Sequence, residues 1–345
     1  MAQRYLITGG AGFLGINLCR HLLDRGATVR SLDKAPFRFP ERNAVEVVQG
    51  DVRTRVDVER AVSEVDVIVH AAAAPPLAPL DEIFSTAISG TRLLLEAALA
   101  QRVARFIFIS SAAVYGIPDH QALHEDGPLR GVDLDGQSKI RAEGMCRAAR
   151  ELGLIVSILR PQTIVGPERL GAFELLYDWA HSGRNFPVLG SGKNRFQLID
   201  VADLCSAVEL CATRAPDAVN DTFNVGARQF GTLRESFQAV LDHAGHGRHV
   251  VSLPAGLAIA TLRVLEALHL SPLYQWIYER ATHECFVSVE RLGRLGFTPR
   301  YDNAAALTRN YDWFLAHRGE IGSARGITYR APLRKGALRM AKYLF

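Results

Sequence analysis

Glycines 9, 12 and 15 lie between a short apolar run, Tyr5-Leu6-Ile7-Thr8, and a helical pattern with Leu14, Leu18 and Leu22 on one face. That spacing suits an anion. Gly9 permits a sharp turn, Gly12 lets backbone approach a pyrophosphate, and Gly15 lets the helix pack on the strand. The N–H groups that open the helix, at Gly12, Phe13, Leu14 and Gly15, then face the anion without an intrahelical partner. A second run, Thr28-Val29-Arg30-Ser31-Leu32, ends in Asp33. A carboxylate there accepts hydrogen bonds from an adenosine ribose and repels a 2′-phosphate, so the expected ligand is NAD rather than NADP. Lys34 and Arg38 stand close by as cations able to bind such a phosphate.

These groups need a scaffold that brings strand ends together. Strands are expected at 4–8, 28–32, 45–48, 66–70, 105–110 and 155–160, alternating with helices at 13–25, 56–63, 86–101 and 136–152. Such alternation implies right-handed crossovers and a parallel sheet. Val67-Ile68-Val69-His70 and Phe106-Ile107-Phe108-Ile109-Ser110 are continuous apolar runs, as in strands covered on both faces. The fold class is therefore α/β, a Rossmann-type doubly wound parallel sheet with a smaller C-terminal substrate lobe. The expected division is 1–165 for the dinucleotide-binding domain, 166–318 for a substrate lobe partly interleaved with the main sheet, and 319–345 for a basic tail. In the second half, helices are expected at 171–183, 201–213 and 232–244, and strands at 196–199 and 222–225. In open α/β sheets ligands bind beyond the carboxyl ends of the strands. The chemistry is expected at Gly9–Gly15, Asp33, Asp51, His70–Ala74, Ser110–Tyr115 and Arg160–Gly166.

The chain has 345 residues, 48% of them hydrophobic and 22% charged, which fits a soluble globular protein with a large core. Arg4 and an immediate strand leave no room for the apolar core of a signal peptide. The five cysteines form no CxxC and no cysteine–histidine ligand pattern. Free thiols in a reducing cytoplasm are expected, and no metal. The net charge of +4 is carried by the tail, where Arg325, Arg330, Arg334, Lys335, Arg339 and Lys342 face the single acid Glu320. The body has no basic patch or binding motif, so no nucleic-acid partner is expected.

Taken together, the motifs resemble the extended short-chain dehydrogenases/reductases, the NAD-dependent epimerase/dehydratase family, over about 1–315. Thr8 through Gly15 is similar to its cofactor signature. Gly50-Asp51-Val52 resembles the adenine-contacting segment, and His70-Ala71-Ala72 the strand end beside the cofactor. Ser110-Ser111-Ala112-Ala113-Val114-Tyr115-Gly116 resembles the catalytic serine segment, with Ser111 at the catalytic position. Leu159-Arg160-Pro161 through Val165-Gly166-Pro167 and Phe223-Asn224-Val225-Gly226 resemble later segments. The resemblance implies cofactor contacts at Asp51, Val52, Ala71, Ala72 and Lys139, with Tyr115 and Arg160 toward the substrate. Arg160 has a second reading, pairing with an internal acid. His70 reads as a structural group at a strand end.

The departures bear on chemistry. The family's Tyr-x-x-x-Lys falls on Asp135-Gly136-Gln137-Ser138-Lys139, and no tyrosine occurs between Tyr115 and Tyr177. The family asparagine on the preceding helix is Ala87, the tyrosine before Gly-Pro is Val165, and Asp200 stands where histidine is usual, whereas Asp203 matches. Alcohol oxidation needs a proton acceptor at the hydroxyl. Asp135 and Lys139 are four apart, so on a helix they share a face and can pair. An ionised carboxylate accepts a proton weakly and hardly donates one, so it suits oxidation better than reduction. Three readings stand. Asp135 is the base, directly or through water; another group (Ser111, Glu125, His124, Tyr115 or the substrate) handles the proton; or Asp135 is a solvated helix-end residue and the usual chemistry is lost.

The segment 253–278 is strongly apolar, but Arg263, Glu266 and His269 interrupt it, so it lacks the roughly 18 uncharged residues of a membrane span. It reads as a buried helical hairpin, as a wall facing an acyl or isoprenoid group, or as a surface that dips into a bilayer. Leu333, Ala337, Met340, Ala341 and Leu344 follow helical spacing with basic residues on other faces. Such a tail suits either packing on its own protein or an anionic membrane surface, at about 1 kcal/mol per basic residue. The expected function is an NAD-dependent oxidoreductase of the epimerase, dehydratase or dehydrogenase kind. Its substrate is a hydroxyl or keto group of a nucleotide sugar or of a lipid-linked or sterol-like alcohol, and its proton transfer is non-standard. The absence of an arginine motif near Phe196 tilts this toward hydrophobic substrates. The alternative is an NAD(H)-binding regulatory or scaffold protein. A homodimer is expected, in the cytoplasm or at the inner face of a membrane.

Overall fold

Runs of β-branched and aromatic residues between glycine and polar turns form the strands, and 3.6-residue apolar patterns form the helices. The computed structural model describes residues 3–75, 78–116, 122–131, 134–171, 173–267, 283–319 and 342. In chain order the strands are β1 (Arg4–Thr8), β2 (Thr28–Asp33), β3 (Val45–Gln49), β4 (Val67–His70), β5 (Arg105–Ile109), β6 (Val156–Pro161), β7 (Thr163–Val165), β8 (Phe186–Leu189), β9 (Leu198–Asp200), β10 (Thr222–Val225) and β11 (Val250–Leu253). The helices begin with α1 (Phe13–Leu23), α2 (Arg55–Val62), α3 (Leu80–Phe84), α4 (Thr91–Ala100) and α5 (Leu134–Glu151). They continue with α6 (Phe173–His181), α7 (Val201–Thr213), α8 (Pro216–Val219), α9 (Leu233–His243), α10 (Ala255–Ala267), α11 (Glu290–Arg294) and α12 (Asn303–Ala316).

Seven parallel strands form the main sheet in the order β10-β6-β5-β4-β1-β2-β3. This is the Rossmann-type α/β fold expected from the strand–helix rhythm. Strand β1 pairs with both β2 and β4, so the strand order reverses there, the point at which open α/β sheets bind ligands beyond their carboxyl ends. The two-residue period of the strands divides the core. Ile7, Val69, Ile107 and Leu159 face α1 and α7 on one side, while Leu6, Ile68, Phe106 and Ile158 face α4 and α5 on the other. A third core gathers Tyr177, Trp179, Phe186, Leu241 and Tyr311. The pairs β8–β11 and β7–β9 form two small sheets of their own, while β10 returns to the main sheet.

The helix expected at 86–101 is longer and less regular. It begins at Leu80 and passes through a π turn, Ser85–Gly90, before α4. Pro79 before Leu80-Asp81-Glu82 is a start signal that apolar periodicity misses. By length and composition Leu80–Ala100 could cross a membrane, but Leu93, Leu94, Leu95, Ala97 and Ala98 are buried in the second core. Strand 196–199 is shifted to Leu198–Asp200, and β7, β8 and β11 were not anticipated because each is only three or four residues long. Asp200 caps α7 by accepting from the Ala202 N–H at 2.7 Å and pairs with Arg309 at 2.8 Å. Asp203 accepts from the Arg300 and Tyr301 N–H groups, each at 3.0 Å. These two carboxylates tie α12 and the segment before it to β9 and α7.

The expected hairpin beyond 267, the segment 268–282, lies outside the described residues, as does the tail apart from residue 319 and Lys342. The Lys342 ammonium pairs with Asp178 of α6 at 2.6 Å.

Candidate active site

The glycine loop is built on backbone contact. Gly9 has φ +71°, and a Cβ there would lie 2.9 Å from Ala72 Cα. A Cβ on Gly15 would lie 2.2 Å from the Gly9 carbonyl oxygen, so only glycine lets α1 start this close to β1. At Gly12 a Cβ would meet only the Gly9 carbonyl, at 3.1 Å, so this position opens onto free space that a side chain would fill. The first intrahelical bond of α1 runs from the Ile16 N–H to the Gly12 carbonyl at 2.9 Å, and no side chain caps the helix. The side chains of Phe13 and Leu14 turn into the core, leaving their N–H groups at the positive end of the helix dipole. This is a cradle that fits a diphosphate.

Around it stand the other strand ends. Asp33 closes β2, its carboxylate accepting from the Ala11 N–H at 3.0 Å and the Ala35 N–H at 2.8 Å. Burial pushes its pKa above the ordinary aspartate value, against the pull of those bonds. Asp51 is gripped by Arg53, with contacts of 3.0 and 2.6 Å that hold its carboxyl below the usual range. Val52 is buried against Gly90 of the π turn. Lys34, expected as a free cation, is paired with Glu82.

His70 is structural, as its strand-end position suggested. The Thr91 hydroxyl donates to the Ala87 carbonyl at 2.6 Å, so its oxygen accepts from His70 Nε2–H at 3.0 Å. Nδ1 must then accept the Thr8 hydroxyl at 2.7 Å, and Thr8 in turn accepts the Ala72 N–H at 3.2 Å. Burial, with Lys139 nearby, pulls the His70 pKa down to about 3, so the ring is neutral. This chain of bonds holds Ala71 and Ala72 over Gly9.

Lys139 reaches the carboxyl end of β5, the strand that leads into Ser111. Lys139, on the first turns of α5, is buried and donates from Nζ to the Ile109 carbonyl at 2.9 Å, two residues before Ser111. Its ammonium lies 5.0 Å from the Phe108 ring centroid. Burial lowers its pKa, and the charge of Asp135 works in the opposite direction. The Ser111 oxygen caps a short 3-10 turn, Ala112–Tyr115, by accepting from the Ala113 N–H at 3.1 Å. That bond uses a lone pair and leaves the hydroxyl proton for another acceptor. Asp135 is exposed at the start of α5, and among the described residues no ion pair joins it to Lys139. The expected pairing is replaced by the lysine's bond to Ile109, because the lysine chain runs inward toward β5.

Arg160 takes its internal-acid reading. It is 2% exposed and grips Glu143 of α5 at 2.9 and 2.6 Å, while Nη1 donates to Tyr115 Oη at 2.8 Å and to the Glu125 carbonyl at 2.9 Å. Tyr115 donates to Asn224 at 2.7 Å, and burial raises its pKa. Glu125 accepts from the Asn224 N–H at 3.0 Å. Tyr115 and Glu125 are thus held in a network beneath the strand ends, while His124 is exposed. Glu143 also accepts from Ser110 Oγ at 2.6 Å. It was not anticipated, although its position four residues after Lys139 put it on the same helix face.

A family model described as the NAD dependent epimerase/dehydratase family matches residues 5–226. The chain is 33% identical to "Uncharacterized protein y4nG" of Sinorhizobium fredii, over 98% of this chain and 85% of that one. It is 28% identical to the 3 beta-hydroxysteroid dehydrogenase/Delta 5-->4-isomerase of Mycobacterium tuberculosis, over 91% of this chain and 90% of that one. Its fold is similar to that of the UDP-glucose 4-epimerase of Thermotoga maritima. The TM-score is 0.76 at 20% identity, covering 92% of this chain and 100% of the other.

Proposed function

The chain belongs to the NAD dependent epimerase/dehydratase family, and from that footing we propose that it is an NAD-dependent oxidoreductase acting on a hydroxyl or keto carbon. NAD, when bound, supplies the hydride acceptor. The N–H groups of Gly12, Phe13, Leu14 and Gly15 hold its diphosphate, Asp33 the adenosine ribose, and Lys139 the nicotinamide ribose. Asp51, Val52, Ala71 and Ala72 line its adenine and nicotinamide sides. The observation that carries the reading is the bond from Lys139 to the Ile109 carbonyl, which brings an ammonium to the backbone beside Ser111. Ser111 donates its free proton to the substrate oxygen and orients it.

Asp135 receives the substrate proton through water. It lies one helical turn before Lys139 and is solvent-exposed, so a water relay is the natural path. A carboxylate in this role favours oxidation, whereas a phenol serves both directions. Tyr115 and Arg160 shape the floor of the substrate cleft through the network with Glu143. The Ser111→Ala variant is expected to lower kcat about a hundredfold, the loss of one preorganised donor. Asp135→Asn is expected to lower it at least about tenfold, with the loss largest for oxidation. The assay is substrate-dependent formation of reduced nicotinamide. If both variants turn over like the parent, the site assignment is wrong. If the protein binds NAD but oxidises no alcohol from a sterol, polyprenol and nucleotide-sugar panel, the regulatory or scaffold reading replaces this one.

A hydrophobic alcohol, sterol-like or lipid-linked, is the favoured substrate ahead of a nucleotide sugar. Arg195, beside Phe196, is neutralised by Glu284 at 2.7 Å and covers the Phe286 ring at 4.0 Å. The helix α10 exposes Leu257 and Val264, 71% and 61% accessible. The dehydrogenase relative, by its name, acts on a hydroxysteroid. Delivery from a membrane surface by the basic tail accords with that substrate, in a cytoplasmic homodimer. Removing residues 331–345 is expected to reduce co-sedimentation with anionic vesicles several-fold while leaving neutral vesicles unaffected, since each basic residue contributes about 1 kcal/mol. Unchanged sedimentation would eliminate the membrane role.

A further inference from the structure

At the adenosine end of the crevice four charged side chains form two pairs, Asp33 stands apart from both, and Arg38 is exposed on the following loop. Each carboxylate oxygen of Asp33, at the end of β2, accepts one backbone N–H, at 3.0 and 2.8 Å, and keeps a lone pair for the ribose. The next residue, Lys34, is bound by the carboxylate of Glu82 on α3. On the neighbouring loop Arg53 is bound by Asp51, and its Nη1 reaches Ser85 Oγ at 3.2 Å in the π turn that follows α3. Ser85 in turn donates to the Glu82 carbonyl at 3.3 Å. Each of the two cations is therefore matched by a carboxylate, and Asp33 remains as surplus negative charge.

We propose that Glu82 is a determinant of cofactor choice: by holding Lys34 it withholds from a 2′-phosphate the cation adjacent to Asp33. This rests on the reading of the crevice as a dinucleotide site. A phosphate monoester placed at the ribose beside Asp33 meets a carboxylate at close range and needs a cation to offset it. Lys34 is the nearest in sequence, and its side chain is 57% accessible, free to swing once released. Glu82 is supplied by the helix after β4, so selection for NAD is shared between two elements. Lys34 is on the surface and Glu82 is partly covered, and surface pairs contribute little to stability, so opening it leaves the fold intact. Asp33 sets the repulsion and Glu82 removes the remedy.

The test measures dissociation constants of NAD and NADP by calorimetry. It uses the parent, Glu82→Gln, Lys34→Met and the double variant, each also in an Asp33→Ser background where NADP binding is easier to measure. Glu82→Gln is expected to tighten NADP up to about fivefold, the upper end of what a surface ion pair is worth, while NAD changes little. Adding Lys34→Met is expected to abolish the gain. An unchanged NADP constant in Glu82→Gln overturns the proposal. So does a gain that survives Lys34→Met, which would assign the phosphate to Arg38. Failure of the parent to bind NAD would instead overturn the cofactor reading, and the two failures are distinct.

Discussion

Replacing Lys139 by methionine is expected to raise stability while lowering NAD-dependent turnover about a thousandfold. The two effects have opposite signs because, in the proposed site, the lysine serves chemistry at a cost in stability. Its side chain is buried with one hydrogen bond, to the Ile109 carbonyl, and among the described residues no ion pair. Holding an ammonium there costs free energy, which is why burial pulls its pKa down. Methionine fills a similar volume without charge. The linkage has a definite sign. The folded pKa lies below the unfolded value of about 10.4, so the destabilisation is fully present at low pH and is relieved as pH rises through the folded pKa. Parent and variant should therefore converge in stability at alkaline pH. The measurements are urea unfolding at neutral and alkaline pH, calorimetric NAD binding and turnover. A variant that is less stable at neutral pH and binds NAD as before would show that Lys139 is a structural residue.

Breaking the pair beneath it should have the largest effect on folding. Glu143→Leu is expected to cost about 3–5 kcal/mol, because it leaves the Arg160 guanidinium buried without its counter-charge. The side chains are 0% and 3% accessible, so water cannot take over. Arg160→Met alone should cost a similar amount by stranding Glu143. The double variant should recover a large part of either loss, since two apolar side chains leave no orphan charge. Ser110 would still lack its 2.6 Å acceptor, and the Tyr115 oxygen its donor from Arg160. The pair also predicts a pH dependence. Burial alone would raise the Glu143 pKa, but the bonds and charge of Arg160, with Ser110 and Arg147, bring it below the usual value. Its stabilisation is thus complete above the unfolded pKa of about 4.3 and is lost as pH falls through the folded pKa. Urea midpoints below about pH 4 should fall more steeply in the parent than in the double variant. Single variants as stable as the parent would defeat this account.

Much of this protein is written locally. The glycine spacing, the apolar runs of β1, β4 and β5, and the helical stripe of α1 each lie within a few residues, and periodicity reads them directly. The parallel sheet follows, because strands separated by helices have few other ways to pair. What escaped was short or irregular. Strands β7, β8 and β11 hold too few residues to establish a period, and the π turn at Ser85–Gly90 breaks the phase of a helix whose two halves belong together.

The candidate site divides along the same line. The types and spacings of Gly9, Gly12, Gly15 and Asp33 are enough by themselves to expect a dinucleotide cradle, since turn geometry and helix dipole are local properties. Which charges are spent and which remain was decided only by the tertiary structure. Asp135 and Lys139 share a helix face, yet the lysine is drawn to Ile109 on another strand. Arg160 faces a strand end, yet Glu143 from a helix takes it inward. Lys34 adjoins Asp33, yet Glu82, 48 positions along the chain, holds it. Charges interact through space over several ångströms, so their partners are set by how distant elements pack, and only the folded chain brings those elements together.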